Sequence, residues 1–316
     1  MTNYTAAIIP RLDRKLIESE LTPEKFIRNS NNGNNEIYII TSNDSPNIMR
    51  EIGRLRELTF RYAGGGTGKP IDIDDFDLGP HCYQQLIVWN PVDKDIVGGY
   101  RFILCKDAET DERGNLKLAT TELFRFSKQF IKDYVPYTIE LGRSFVQPKY
   151  QPSIDNRKGL FSLDNLWDGL GAIILDNPDQ KYFYGKVTMY THFNRQARDM
   201  ILSFMNYFFP DKEELVRPIE PLKIENDMTG FLNELKGLDY KDAHRLLTQK
   251  VRSLGEHIPP LVNAYMNLSP TMKTFGTAMN LHFGEVEETG IMVTIPDMYI
   301  SKVERHINTY ISRKKN

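Results

Sequence analysis

Runs with strand-like and helix-like spacing alternate along the first two thirds of the chain, and this alternation limits the folds that it can adopt. Residues 36–41, "EIYIIT", are β-branched and alternate as a strand does, whereas 45–63 repeats apolar residues at helical spacing. Strand-like runs at 82–89 and 95–105 are joined by the turn residues "NPVDK" and predict an antiparallel hairpin. Because helices alternate with strands, we predict an α/β fold.

The later elements keep this order as far as residue 209. We predict a helix within 119–134, a strand from 138, a helix at 161–175 capped by Ser162, a strand at 181–193 and a helix at 195–209. Towards the C-terminus, "IPPLVNAYMNLSP" predicts a helix, "GIMVTIP" a strand and "DMYISKVERHINTYISRKK" a closing helix.

These patterns divide the chain into four segments. We expect residues 1–35 to form an N-terminal helical extension, with a helix that opens at "LTPEKF". Residues 36–210 would form the α/β core, and the charged, helix-prone residues 211–257 a helical insertion. Residues 258–316 would complete the fold.

The charge balance and the cysteine count exclude several classes of protein. Charged residues make up 26% of the chain but the net charge is −2, so no basic excess indicates nucleic-acid binding. Cys82 and Cys105 lack metal-binding spacing and lie in predicted strands, where we expect them to act as small hydrophobic residues. The histidines show no HxxxH or HExxH pattern, no apolar run could span a membrane, and the N-terminus lacks a signal-peptide core. We therefore expect a cytoplasmic protein without a metal site.

The glycine-rich stretch "GGGTGKP" is a candidate for a nucleotide-binding phosphate loop, but it does not fit that motif. That motif needs a glycine five positions before Gly68 and a serine or threonine after Lys69, but Ala63 and Pro70 stand there. The glycines also follow a helix rather than a strand. The stretch therefore predicts a mobile loop.

The strand-like stretch 138–151, "TIELGRSFVQPKYQ", carries opposite charges three residues apart, at Glu140 and Arg143, and its ladder ends at Pro148. Side chains of a regular strand alternate between faces, so we predict that Glu140 serves a site on one face and Arg143 anchors an acidic loop or helix on the other. Only a bulge or a splayed strand would let the two pair directly.

Several ordered blocks resemble one family. They are "DDFD", "IVGGYRF", "ELGRSFVQPKYQ", "LFSLDNLWDGLGAII", "YFYGKVTMY" and "IPPLVNAYMNL…FG…TGIMV", which together cover most of 36–296. The pattern is similar to the GNAT acyltransferases that make N-acyl amino acids, the hemolysin-like ornithine-lipid and glycine-lipid N-acyltransferases, and above all to the Bacteroidetes glycine N-acyltransferases. This group is related to the acyl-homoserine-lactone synthases. The resemblance implies a GNAT-like mixed central sheet flanked by helices, with a helical insertion and a C-terminal extension.

The resemblance also implies roles for residues. Glu140 would act as the general base, or orient the amine directly or through a water; alternatively, it belongs to an ion-pair network with Arg143 or Arg101. Arg101 and Arg143 would complete the catalytic set. Four further residues match the family's helix and acidic-loop pattern: Arg56, Phe60, Asp74 and Asp77. They would either fix the loop through buried ion pairs or contact the carboxylate of the amino-acid substrate.

The acyl donor would bind beside the end of the same strand. In GNAT folds, backbone N–H groups around Phe145 and Val146, next to Gln147, stabilise the oxyanion. The loop "NRKG" precedes a predicted helix, and its residues Arg157, Lys158 and Gly159 would hold the donor's phosphate; the alternative is a solvated surface loop.

These observations predict an N-acyltransferase. It would move a long-chain acyl group, with or without a 3-hydroxyl, from an acyl thioester to the α-amine of an amino acid, glycine first. No cofactor would be bound; the phosphopantetheine of an acyl carrier protein, or coenzyme A, would carry the acyl group. The basic tail "YISRKKN" suggests peripheral contact with the inner face of the membrane. The alternatives are a non-catalytic GNAT-like module that binds an acyl carrier or lipid and, less favoured, a pore-forming toxin.

Overall fold

The computed structural model describes residues 5–151, 159 and 161–311. The chain forms two compact units. Unit 1 comprises Met1–Ala119, Pro136–Lys181 and Tyr299–Asn316, and unit 2 comprises Thr120–Val135 and Tyr182–Met298. Both units combine strands with helices, which confirms the predicted α/β class.

Unit 1 contains a run of antiparallel strands in the order β1-β2-β3-β4-β6. These strands are β1 (Phe26–Asn29), β2 (Glu36–Ile40), β3 (Gln84–Asn90), β4 (Asp95–Leu104) and β6 (Thr138–Val146). Its helices are α1 (Arg14–Glu20), α2 (Pro46–Tyr62), α3 (Ser162–Asp176) and α8 (Ile300–Lys302), which continues into a π-helical turn, Val303–Ile307. The hairpin β3–β4, helix α2, strand β6 and helix α3 confirm the corresponding predictions.

Unit 2 contains three antiparallel strands in the order β7-β10-β9 and a separate ribbon of β5 and β8. The strands are β5 (Phe124–Phe126), β7 (Tyr182–Met189), β8 (Val216–Pro218), β9 (Lys273–Asn280) and β10 (Val286–Thr294). The helices are α4 (Arg195–Phe208), α5 (Thr229–Leu235), α6 (Tyr240–Ser253) and α7 (Pro260–Met266). The predicted strands at 181–193 and "GIMVTIP" and the helix at 195–209 are confirmed.

Helix α2 shows why the sequence folds this way in unit 1. Pro46 occupies its first turn, where no intrahelical N–H bond is lost. Ile48, Ile52 and Leu55 recur at helical spacing and are buried, so one face of the helix packs into the core. The same helix also buries Arg56 completely, which requires a partner for its charge.

One helix prediction is wrong, and two hold over part of the predicted range. The segment that opens at "LTPEKF" is a turn followed by β1, which pairs with β2; this tertiary pairing overrides the local helix signal. The helix predicted within 119–134 forms in the last part of that range and ends in the π turn Phe130–Tyr134, whereas strand β5 precedes it. The closing helix forms over Ile300–Ile307 and is shorter than predicted.

Smaller corrections concern side chains. Ser162 is not the N-cap of α3, since that position is Phe161; the Ser162 hydroxyl instead donates to the backbone oxygen of Tyr150. Cys82 lies just before β3, and Cys105 lies in a 3-10 turn after β4, so neither cysteine is inside a strand.

Strand β6 carries a bulge opposite β4. Gly142 pairs with Arg101 and Phe145 pairs with Gly99, so Arg143 and Ser144 lie opposite Tyr100 alone. Arg143 has φ +48°, in the left-handed region that side chains other than glycine rarely adopt. Close approach of the two strands next to the bulge requires Gly98, because a Cβ there would lie 2.3 Å from the Phe145 oxygen.

Candidate active site

Three aspartates on the loop between α2 and β3 meet three arginines from three different elements of unit 1. We call residues 72–77 the acidic loop and Arg56, Arg101 and Arg143 the arginine cluster; these arginines come from α2, β4 and β6. The loop begins close to α2, where the Asp72 N–H donates to the Gly53 oxygen at 2.9 Å. A Cβ on Gly53 would lie 2.6 Å from Ile73, so the glycine permits this approach.

Arg56 and Arg101 are the more deeply buried arginines of the cluster, and they pair with Asp74 and Asp77. Arg56 Nη1 lies 3.0 Å from Asp77 Oδ2, and both side chains are fully buried. Arg101 Nη1 lies 2.6 Å from Asp74 Oδ1 and 3.3 Å from Asp77 Oδ2. Arg101 therefore bridges the two aspartates that the sequence singled out.

Arg143 binds the same loop. Its Nε lies 2.8 Å from Asp72 Oδ2, and its Nη2 lies 3.4 Å from Asp74 Oδ2. The prediction that Arg143 anchors an acidic loop is confirmed, but its placement on the face opposite Glu140 is wrong. Glu140 and Gly142 share a face, Gly142 pairs with Arg101, and Arg101 and Arg143 share Asp74. The bulge at Arg143 therefore brings its guanidinium to the Glu140 side.

The acidic loop is also closed by its own side chains. The Asp74 carboxylate accepts from the Phe76 N–H, and the Asp77 carboxylate accepts from the Asp74 N–H, which together form a capping box around a 3-10 turn. A loop fixed at both ends in this way holds its carboxylates in one geometry. The arginines consequently meet a preformed acceptor array.

Opposite charges in this cluster offset the effect of burial on the pKa values of Asp77 and Arg101. Burial opposes ionisation of Asp77, but Arg56 and Arg101 outweigh it and hold the pKa of that carboxyl far below its usual value. Burial likewise opposes the charged form of Arg101, yet Asp77 and Asp74 raise its pKa. The three arginines match three aspartates, so each buried charge has a partner of opposite sign.

Glu140 lies beside this cluster in a different environment. It is 1% exposed, and Tyr83 donates its hydroxyl proton to Glu140 Oε2. The Tyr83 oxygen in turn accepts from the Ala119 N–H at 3.0 Å. Burial and then the Glu140 charge raise the pKa of the Cys105 thiol, so this neighbour is a protonated thiol rather than a nucleophile.

The structure places the remaining predicted residues in unit 1. Phe60 lies one turn after Arg56 on α2 and is buried. Phe145 and Val146 follow the bulge and face Gly99 and Gly98 of β4. The Gln147 N–H donates to the Val97 oxygen at 3.0 Å, so this backbone group continues the hydrogen bonding between β6 and β4. Gly159 is buried, while Arg157 and Lys158 lie outside the described residues.

Tyr83, Gln85 and Asp72 belong to the site although sequence reasoning missed them. Gln85 donates to Asp77 Oδ1 at 3.0 Å and accepts from Arg56, so it completes the buried network. Gln85 pairs with Arg101 across the hairpin, and Tyr83 lies two residues earlier. If the side chains of 82–89 alternate as in a regular strand, Tyr83 and Gln85 lie on the same face as Arg101.

Within the described part of the chain, no helix has the length and hydropathy needed to cross a membrane. Within the same residues, no group of three or more His, Cys, Asp or Glu side chains has the geometry of a metal site.

Comparisons with known proteins agree with this geometry. Residues 55–154 match the family model described as "Acetyltransferase (GNAT) domain", a stretch that contains Arg56, the acidic loop and β6. The chain is 51% identical over 306 residues to the glycine N(alpha)-acyltransferase of Phocaeicola vulgatus. The aligned region covers 97% of this chain and 94% of the relative. It is 53% identical over 304 residues to the glycine N(alpha)-acyltransferase of Bacteroides thetaiotaomicron, covering 96% of this chain and 90% of the relative. No solved structure matches the chain significantly. Because this identity extends along nearly the whole length of both relatives, the chain belongs to the glycine N(alpha)-acyltransferase family of GNAT acyltransferases.

Proposed function

We propose that the protein transfers a long-chain acyl group, with or without a 3-hydroxyl, from an acyl thioester to the α-amine of glycine. The product is an N-acylglycine that serves as a lipid or lipid precursor. The observation that carries this proposal is the identity of 51% and 53% to two glycine N(alpha)-acyltransferases along almost the entire chain. The buried carboxylate of Glu140, beside the β6 bulge, supplies a suitable basic group.

The chemistry asks for a base and an oxyanion site, since a thioester is already activated. Glu140 removes a proton from the glycine ammonium, directly or through a water. The free amine attacks the thioester carbon and the C–N bond forms. The nitrogen then gives up its second proton, and the C–S bond breaks with loss of the thiolate, which takes up that proton, while Glu140 releases the first one to solvent. Backbone N–H groups around Phe145 and Val146 stabilise the negative oxygen of the tetrahedral intermediate.

The arginine cluster fixes the acidic loop in our proposal. The alternative is direct binding of the glycine carboxylate by Arg101 or Arg143. The ion pairs of Arg56, Arg101 and Arg143 with the loop aspartates support the anchoring role, because these guanidiniums already bind carboxylates of the protein. Phe60 is buried four residues after Arg56 on α2, so the two side chains lie on the same face of that helix.

The donor carrier is an acyl carrier protein or coenzyme A, whose pantetheine arm we place beside Phe145, Val146 and Gln147. Arg157 and Lys158, with Gly159, bind its phosphate in this proposal, which rests on the sequence. Replacing both basic residues by glutamate should raise the KM for the acyl donor and leave the KM for glycine unchanged. No effect on the donor would refute the phosphate assignment.

We further propose that the reaction takes place in the cytoplasm, with peripheral contact at the inner face of the membrane where the product is released. The basic tail of the sequence supports this contact, although its last residues, 312–316, lie outside the described part of the chain. In this proposal, residues 36–210 are the acyltransferase core, residues 211–257 form an insertion, and residues 258–316 complete the fold.

Mass spectrometry of lipid extracts tests the function. A bacterial host would express the intact protein or its Glu140→Ala variant at matched levels, with an empty vector as control. A new N-acylglycine present only with the intact protein is expected, and its mass gives the chain length and hydroxylation. An acylated amino acid other than glycine would correct the acceptor. If purified protein binds an acylated carrier protein but releases no thiol with any amine, the chain is a non-catalytic binding module.

A further inference from the structure

Tyr83 contacts Glu140 directly in unit 1. Its hydroxyl bonds to Glu140 Oε2, and the tyrosine is 2% exposed. The phenol ring is itself fixed, since it packs edge-on against Phe76 with ring centroids 5.5 Å apart. Arg101 lies over the same ring, with its Cζ 5.2 Å from the centroid. The tyrosine therefore joins Glu140 to the arginine cluster.

The direction of the Tyr83 hydrogen bond follows from its second partner. A hydroxyl has one proton to give and two lone pairs that accept. The Ala119 N–H donates to the Tyr83 oxygen at 3.0 Å, which uses one lone pair. The hydroxyl proton is consequently directed at the Glu140 carboxylate, which accepts it.

The tyrosine is also held in its neutral form. Burial, and next the charge of Glu140, raise the pKa of Tyr83 well above its usual value. The phenol therefore keeps its proton throughout the range in which an enzyme works, so it serves as a permanent donor. The Cys105 thiol lies near Glu140, and the Arg101 guanidinium lies over the Tyr83 ring.

We infer that Tyr83 is a positioning residue for the acyl transfer: its hydroxyl, oriented by the Ala119 N–H, holds the Glu140 carboxylate in one rotamer. This inference rests on the proposed role of Glu140 as the base. A carboxylate with one oxygen bound to a fixed donor presents its remaining lone pairs in a defined direction. Tyr83 itself touches no substrate in this account.

The variant Tyr83→Phe tests the inference, because it removes only the hydroxyl. We expect kcat to fall about tenfold or more, the loss typical of one hydrogen bond to a charged group, while the KM values for glycine and donor change little.

Tyr38→Phe is the matched control. Tyr38 is also a buried tyrosine of unit 1 whose hydroxyl donates to a carboxylate, at 2.7 Å from Glu36 Oε2, but it lies on β2 outside the site. This variant should keep the kcat of the unchanged protein. A shared loss of activity in both variants would mean that removing any buried hydroxyl is sufficient, and would overturn the positioning role.

The Glu140→Gln background separates this inference from the proposed function. If Tyr83 acts through Glu140, adding Tyr83→Phe to Glu140→Gln lowers the residual rate no further. An equal further loss in that background overturns the inference. If Glu140→Gln is inactive and Tyr83→Phe is fully active, only the positioning role fails. If Glu140→Gln is fully active, the proposed base fails together with it.

Discussion

Each unit of the protein buries its own network of charges, and the two networks differ in what they surround. In unit 1, Arg56, Arg101 and Arg143 bind Asp72, Asp74 and Asp77. In unit 2, Arg195 and Arg198 bind Asp199, Glu225 and Glu287. Both networks contain a fully enclosed arginine whose removal would strand buried carboxylates.

The unit 2 network ties secondary-structure elements together. Arg198 on α4 is 1% exposed, and its Nη1 lies 2.9 Å from Glu287 Oε1 on β10. Asp199 Oδ2 accepts from the N–H groups of Glu225 and Asn226, each at 2.9 Å. These bonds hold the segment after β8 against α4, and Glu288, the buried carboxylate next to Glu287, pairs with Lys186.

The unit 1 network differs in the group that holds the carboxylate beside it. Glu140 is bound by a neutral tyrosine, while the arginines pair with the acidic loop. The loop and the β6 bulge fix the surroundings of Glu140, which is the base in our proposal. Buried ion pairs alone therefore do not mark an active site; the informative feature is a carboxylate placed next to such a network but held by a neutral donor.

The largest expected effect is on stability, and it should be equal in the two networks. Arg56→Met leaves Asp77 with one arginine fewer, and Arg198→Met likewise removes one of the two arginines that bind Glu287. Each should lower the free energy of unfolding in urea by about 3–5 kcal/mol, as when one member of a buried ion pair is removed. A loss below about 1 kcal/mol in either variant would contradict the burial of that network.

Arg143→Lys sharpens the comparison at intermediate size. Lysine keeps the charge but lacks the planar fork that reaches both Asp72 and Asp74. A loosened acidic loop should lower kcat about tenfold through misplaced catalytic groups, with little change in the KM for glycine. The matched control is Arg54→Lys, since Arg54 binds Glu51 through Nε and Nη2 at 2.8 and 2.6 Å within α2. A selective rise in the KM for glycine would instead make Arg143 a ligand of the substrate carboxylate.

The smallest effect is expected at the rim of the unit 2 network. Glu225 accepts from Arg198 Nη2 at 2.8 Å, but its side chain is 53% exposed. Because water screens such a pair, Glu225→Gln should cost less than about 1 kcal/mol of unfolding free energy and leave kcat/KM unchanged. A clear loss of activity on glycine would show that unit 2 contributes to the site and would weaken the contrast drawn above.

The sequence predicts much of unit 1 because local patterns and tertiary structure agree there. The periodicity of α2, the β3–β4 hairpin and the acidic loop were all readable, and the resemblance brought Arg56, Asp74, Asp77 and Arg101 together correctly. The β6 bulge could be anticipated only as a condition for Glu140 and Arg143 to pair. Its position depends on the close contact of Gly98 with Phe145, which no local pattern in β6 reveals.

Two other features escaped the sequence for similar reasons. Strand β5 forms because Phe124–Phe126 pairs with Val216–Pro218, residues far along the chain, so its short pattern is too weak to compete with a helix signal. Tyr83 resembles an ordinary core residue, and its role depends on Ala119 and Glu140, both distant in sequence. Hydrogen-bond direction in particular requires three-dimensional partners.

The central claim is that Glu140 is the base of an acyl transfer to glycine. The most direct measurement is glycine-dependent release of thiol from a long-chain acyl thioester by the purified protein and by Glu140→Gln, with the N-acylglycine identified by mass spectrometry and both melting temperatures recorded. The account predicts that Glu140→Gln lowers kcat about a hundredfold, within the range for loss of a general base, while the melting temperature stays nearly unchanged. Equal rates for the two proteins, or a loss of rate that matches a loss of folded protein, would contradict it.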